Sequence, residues 1–137
     1  MEQKTYHLEI ESDSRNLITV EEFINYFAVE LNLKEEKING LLISITEAIT
    51  NAIKHGNKSD KNKLVFIDVI YDDEFITIKV KDQGEGFNPN IIPDPTHPDN
   101  LLKDSGRGVY LMKIYMDEIK FNKTDNGMET ILKMKIN

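Results

Sequence analysis

A chain of 137 residues with 39% hydrophobic and 30% charged side chains is of single-domain size, so residues 1–137 are expected to fold as one unit that hides roughly two thirds of its unfolded surface. Seventeen basic against twenty-four acidic side chains leave a net charge of −7, and there is no cysteine; a broad basic surface for nucleic acid, a disulfide framework, a thiolate metal site and cysteine catalysis are all excluded. No apolar run is long enough to span a membrane and no basic segment leads into an apolar stretch at the N-terminus, which points to a cytoplasmic protein with neither nucleic acid nor membrane as a direct partner.

Thr5 to Glu11 alternate, with Tyr6, Leu8 and Ile10 on one side, and predict a first strand at a sheet edge. Ser12, Asp13 and Ser14 offer helix caps before Leu17, Val20, Phe23, Ile24, Phe27 and Leu31, whose spacings of three and four mark an amphipathic helix. A second helix is predicted from Lys34 to His55, buried through Ile38, Leu41, Leu42, Ile45, Ile49, Ala52 and Ile53 and stopped by Gly56. Leu64 to Tyr71 and Phe75 to Asp82 read as a hairpin around the acidic turn Asp72-Asp73-Glu74. All four prolines fall between Gln83 and Ser105, so a lid or binding loop without regular structure is expected there. Val109 to Met116 predicts a third helix, followed by strands over Glu118 to Lys123 and Glu129 to Ile136 around a turn at Asn126-Gly127. This order suits an α+β, two-layer α/β sandwich: a mixed, mainly antiparallel sheet covered on one face by helices.

Three clusters of chemistry lie along that order. Glu47, Asn51 and His55 are spaced by four, which places them on one polar stripe facing away from the apolar side of the second helix. Such a stripe is either a solvated face or, with a nucleotide against it, a working surface: the Asn51 amide oxygen is a hard neutral ligand for Mg²⁺ beside phosphate oxygens, and Glu47 is placed to take a proton from the attacking oxygen. His55 either joins it or caps the helix C-terminus. Period two turns Asp82 inward with Ile76, Ile78 and Val80, and a buried carboxylate needs donors such as an adenine amino group. Gly84 and Gly86 beside it permit close backbone approach to a ring, or make an ordinary Asp-Gly turn. Gly106 and Gly108 stand before the third helix, where free amides bind phosphate, with Ser105 and Arg107 adding a hydroxyl and a cation; a plain helix-start loop is the other reading. Neither a P-loop ending nor a full Gly-x-Gly-x-x-Gly fingerprint is present.

In order and context these motifs resemble the GHKL ATPase superfamily, which unites gyrase, a heat-shock chaperone, histidine kinases and mismatch-repair ATPases. The resemblance spans nearly the whole chain, with Glu47 and Asn51 as the N box, Asp82, Gly84 and Gly86 as the first glycine box and Gly106 and Gly108 as the second. It implies ATP and Mg²⁺ as cofactors, Glu47 as the catalytic carboxylate, Asn51 as the Mg²⁺ ligand, Asp82 as the adenine reader and residues 88 to 104 as an ATP lid. His55, Gly84, Gly86, Ser105, Gly106, Arg107, Gly108, Val109 and Thr130 complete the implied nucleotide contacts. Where the family's last glycine box has Thr directly after Gly, this chain reads Gly127-Met128-Glu129-Thr130, so Thr130 reaches a phosphate only if the turn carries one extra residue.

The small size, the run Glu47-Ala48-Ile49-Thr50-Asn51-Ala52-Ile53-Lys54-His55-Gly56 and the run Gly106-Arg107-Gly108-Val109-Tyr110-Leu111-Met112 look most like bacterial anti-sigma factors that are also serine-protein kinases. That likeness implies transfer of the ATP γ-phosphate to a serine of an anti-sigma-factor antagonist, alternate binding of a sigma factor and that antagonist, and a homodimer. Two alternatives stay open. One is a nucleotide-gated module that sequesters a regulator without phosphorylating it; the other is the catalytic domain of a histidine kinase, against which stands the lack of a preceding helix pair with a phosphoacceptor His, His7 lying in a predicted strand.

Overall fold

Alternation of apolar side chains lays five strands side by side and turns one face of each inward. The structure, a computed structural model, describes residues 2–84 and 104–137. In chain order it contains β1 (Lys4–Glu11), a 3-10 turn (Ser14–Asn16), α1 (Leu17–Glu30), α2 (Glu35–Asn51), a π-helical turn (Ala52–Gly56), β2 (Leu64–Tyr71), β3 (Phe75–Lys81), α3 (Asp104–Tyr115), β4 (Glu118–Thr124) and β5 (Gly127–Lys135). Gly86 and, apart from Asp104, the sequence-predicted lid lie outside the described residues.

The sheet runs β1-β2-β3-β5-β4, with β1 at an edge. All four pairings are antiparallel, so among the described residues the sheet is antiparallel rather than mixed. Val65, Ile67, Val69 and Tyr71 of β2 are buried, as are Ile76, Ile78 and Val80 of β3, and Met128, Leu132 and Met134 of β5. Their neighbours in sequence are only partly covered, the one-sided burial of an antiparallel sheet under a helical layer. From the helices, Val20, Ile24 and Phe27 of α1 and Leu41, Ile45, Ala48 and Ile49 of α2 close the same core.

Phe27 anchors the β1 side of that core. Its ring centroid lies 4.8 Å from that of Tyr6 and 4.8 Å from that of Phe23, and 5.6 Å from that of Tyr71, the edge and tilted geometries that aromatic quadrupoles favour.

Two helix boundaries differ from those predicted. The α-helical bonding of α2 ends at Asn51, and the next five residues widen into a π turn in which the Asn57 N–H donates to the Ala52 carbonyl at 2.8 Å. That i→i+5 closure carries His55 off the line joining Glu47 and Asn51. The third helix begins at Asp104 rather than Val109, so Gly106 and Gly108 lie inside its first turns and not before it. Likewise the last hairpin turns at Asp125-Asn126, because Thr124 already pairs with Gly127.

α3 lies along α2. A Cβ added at Gly40 would stand 3.0 Å from Cδ1 of Tyr115, so the absence of a side chain there sets how closely the two helices approach. Removing the anchor of the sheet–helix core is expected to be expensive: Phe27→Ala should lower unfolding free energy by about 3–5 kcal/mol, measured by denaturant titration with an unchanged slope.

Candidate functional site

The β3–β5 ladder ends one residue before the carboxylate that matters most. Asp82 follows Lys81 on the inward face, two residues after Val80, and its residue is only 7% exposed. The Asp82 N–H donates to the Met128 carbonyl at 3.0 Å, and Oδ1 of Asp82 accepts the Met128 N–H at 3.1 Å and the Gly84 N–H at 2.9 Å. The carboxylate thereby ties the end of β3 to the start of β5. Burial pushes its pKa above the ordinary carboxylate value, against the opposing pull of the two backbone N–H groups and of the Lys63 charge.

Three glycines surround it because nothing larger fits. A Cβ at Gly56 would stand 2.2 Å from Oδ2 of Asp82, one at Gly84 would stand 1.7 Å from the Gly56 carbonyl oxygen, and one at Gly127 would stand 1.9 Å from the Asp82 carbonyl oxygen. Backbone therefore packs directly on backbone from three segments far apart in sequence. Oδ1 takes both amides; Oδ2, on the Gly56 side, has no hydrogen bond among the described residues and can accept one from a ligand N–H.

The second cluster lies on α2, ahead of the π turn that carries Gly56. Glu47 is half-buried, and a Cβ at Gly108 would stand 2.7 Å from its Oε2. The face of α2 that the sequence reads as pointing away from the core is thus covered in part by α3, and Glu47 is aimed into that seam. Asn51, half-buried at the last α-helical position, lies one turn on from Glu47, between the two clusters. His55 sits exposed in the π turn. Ser105, Gly106, Arg107, Gly108 and Val109 all fall in the first turns of α3, with Arg107 exposed and Val109 buried. Thr130 is buried in β5 opposite Val80, two residues beyond Met128.

Sequence reasoning passed over the residues that brace this arrangement. Asn57 is fully buried; its Nδ2 donates to Ser12 Oγ at 2.8 Å and to the Leu64 carbonyl at 3.0 Å, while its Oδ1 accepts the Gln83 N–H at 2.7 Å. Gln83 Oε1 in turn accepts the Leu64 N–H at 2.7 Å. Ser12, read above as a helix cap, donates instead to the Lys63 carbonyl at 2.6 Å, and Asp13 does the capping by accepting the Arg15 N–H at 3.0 Å. The one signal available was Asn57 itself, a polar residue directly after the helix-stopping Gly56. Lys58 and Ser59 next to it adopt positive φ of 52° and 57°, a left-handed pair that reverses the chain without glycine.

Among the described residues no group of three or more His, Asp or Glu stands together to hold a metal. The Asn51 amide oxygen is the type of hard neutral ligand that could hold Mg²⁺ beside phosphate oxygens and water.

Comparison with known proteins bears on what the cradle does. A model of the histidine kinase-like ATPase domain matches residues 10–135. An anti-sigma F factor of Clostridium perfringens is 31% identical over 117 residues, covering 83% of this chain and 84% of that one. An anti-sigma F factor of Geobacillus thermodenitrificans is 30% identical over 129 residues, covering 91% and 87%. Among solved structures, the RsbU and RsbW domains of a Mycobacterium tuberculosis protein align with TM-score 0.71 at 15% identity, covering 97% of this chain but only 32% of that longer one. A histidine kinase domain from a blue-light activated histidine kinase of Erythrobacter litoralis aligns with TM-score 0.56 at 14% identity, covering 93% and 62%. These two likenesses show the fold. No described helix is long and apolar enough to cross a membrane.

The glycine contacts separate two kinds of substitution. Gly84→Ala and Gly127→Ala meet backbone and should cost at least about 3 kcal/mol, the upper range for overpacking, whereas Gly108→Ala meets only the tip of the Glu47 side chain and should stay within about 1 kcal/mol of the parent. Denaturant titration checks this, and equal losses at all three positions would contradict the packing described. The raised Asp82 pKa has a sign of its own. In the window between the unfolded value and the raised folded one, the native state binds more protons than the unfolded chain, so stability falls as pH rises through that window and the deficit persists at neutral pH. Asp82→Asn, which keeps the acceptor for both amides, is expected to raise the melting temperature of the ligand-free protein at pH 7, and the gain should vanish at acid pH.

Proposed function

The chain belongs to the histidine kinase-like ATPase domain family, the GHKL superfamily, alongside the anti-sigma F factors, and from that premise we propose that it is an ATP-dependent serine-protein kinase that phosphorylates an anti-sigma-factor antagonist. Residues 1–137 act as one ATP-binding unit in the cytoplasm, holding by turns a sigma factor and the unphosphorylated antagonist, as a homodimer. The observation that carries this reading is the Asp82 cradle, a buried carboxylate with one oxygen taken by two backbone amides and the other, among the described residues, lying on the side lined by Gly56.

Adenine suits that oxygen because its exocyclic amine donates and its ring needs a wall with no side chains in the way. From there the triphosphate would run past Asn51 to Glu47 and the first turns of α3, where free amides and Gly106 and Gly108 favour anionic groups. Mg²⁺, when bound, would neutralise phosphate charge, with Asn51 as its protein ligand. Glu47 would accept the proton of the serine hydroxyl as that oxygen bonds to the γ-phosphorus; the bond from the γ-phosphorus to the bridging oxygen breaks and ADP departs with the electron pair. His55, Gly84, Gly86, Ser105, Arg107, Val109 and Thr130 are proposed as supporting nucleotide contacts.

A second reading rests on one departure from the family: Met128, not Thr, follows Gly127, and its N–H is spent on Asp82. On that reading the protein sequesters its partner in an ATP-dependent way and transfers nothing.

Calorimetry with ATP, with and without Mg²⁺, should give binding that Asp82→Asn abolishes. With a candidate antagonist and radiolabelled ATP, Glu47→Ala should retain nucleotide binding and lose transfer by about 10²–10⁴-fold, the range typical of a removed general base. A complex that responds to ATP while phosphoserine stays undetected in the wild type would select the second reading.

A further inference from the structure

Asp82 is braced by a polar network centred on the fully buried Asn57. The peptide plane before its Cα is pinned by the bond from the Asp82 N–H to the Met128 carbonyl, at 3.0 Å. The plane after it is pinned by the Gln83 N–H, whose acceptor is Oδ1 of Asn57 at 2.7 Å. With both flanking planes held, φ and ψ of Asp82 are fixed, and with them the direction in which its Cβ and carboxylate project.

Asn57 can hold that plane because its own amide has no freedom left. Both Nδ2 hydrogens are taken, by Ser12 Oγ at 2.8 Å and the Leu64 carbonyl at 3.0 Å. Its main chain is fixed at the same time: the N–H closes the π turn onto Ala52, and the carbonyl accepts the Asp60 N–H at 3.0 Å. The residue that orients Asp82 therefore also terminates the helix that carries Glu47 and Asn51. A side chain buried to 0% exposure with every donor matched is costly to build and useful only where uniqueness of position counts.

We infer that Asn57 is a positioning residue for nucleotide recognition, setting the orientation of Asp82 toward the base and its distance from Asn51 without touching the ligand. The inference rests on the reading of Asp82 as the adenine-recognising carboxylate. It predicts a loss confined to the base. A position that merely supported the fold would weaken base and phosphate binding alike.

The test is calorimetric titration of the whole chain with ATP and, separately, with inorganic tripolyphosphate, for the wild type, Asn57→Ala, Ser12→Ala and Asp82→Asn. Asn57→Ala is expected to weaken ATP about tenfold or more, as for a buried polar group left without its partner, and to leave tripolyphosphate unchanged. Ser12→Ala removes one of the two Nδ2 partners and should give a smaller ATP loss of the same selectivity; it carries the test alone if Asn57→Ala does not fold. The amide resonances of Gly84 and Met128, which report the Asp82 hydrogen bonds, should shift in both variants. Equal losses for the two ligands, or unchanged ATP affinity in a folded variant, would overturn the inference while leaving the nucleotide reading intact. Failure of that underlying reading has a different signature: no ATP binding by the wild type, or undiminished ATP binding by Asp82→Asn.

Discussion

A single carboxylate, buried where the β3–β5 ladder gives out, sets the terms for everything around it. An ionised group in that position is tolerable only if amides point at it and if the chain can come close enough to deliver them. The two N–H donors come from different distances in sequence, Gly84 two residues beyond Asp82 and Met128 46 residues beyond it, across the sheet. Their approach requires Gly84 and Gly127 to lack side chains, and the open side of the carboxylate requires the same of Gly56. Three glycines from three separate segments thus answer to one electrostatic demand.

That demand explains the odd ending of the second helix. If α-helical bonding continued to Gly56, Asn57 would leave on a different azimuth; the wider closure onto Ala52 delivers it to the end of β1 and the start of β2. Insertions of this type recur at functional positions because they redirect one residue without unwinding the rest. Here the redirected residue is Asn57, and what it gains is contact with Ser12 after β1, Leu64 at the start of β2 and Gln83 after β3. One side chain therefore locks together three strand ends and a helix end.

How much of this was legible in the sequence follows from the range of the forces involved. Strand positions, the inward aim of Asp82 and the buried stripes of α1 and α2 follow from local periodicity, and they match because Ile76, Ile78 and Val80 or Val20, Ile24 and Phe27 have only one face to hide. The start of α3 was not legible: two glycines in three residues weigh against helix on propensity, whereas the tertiary packing of α3 on α2 beside Glu47 outweighs it. The role of Asn57 was not legible either. Nothing local distinguishes a polar residue after a helix stop that is solvated from one that is fully buried and bonded to residues 45, 26 and 7 positions away.

The Asp82 and Glu47 clusters also differ in how they are packed, and the difference fits the division of labour proposed for them. Around Asp82 the described contacts are backbone N–H groups and the close approach of Gly56, Gly84 and Gly127, which leave little room for adjustment. Around Glu47 the contact is the end of a flexible side chain beside Gly108. A base-recognising pocket gains from fixed donors and acceptors, because selectivity comes from leaving a wrong base unpaired. A phosphoryl-transfer site has to admit and release a second protein, so its carboxylate is better held by a contact that yields. Burial of Asp82 makes the same point thermodynamically. A charge that costs stability in the free domain is relieved by any ligand that donates to it, so binding and folding are linked through the same oxygen.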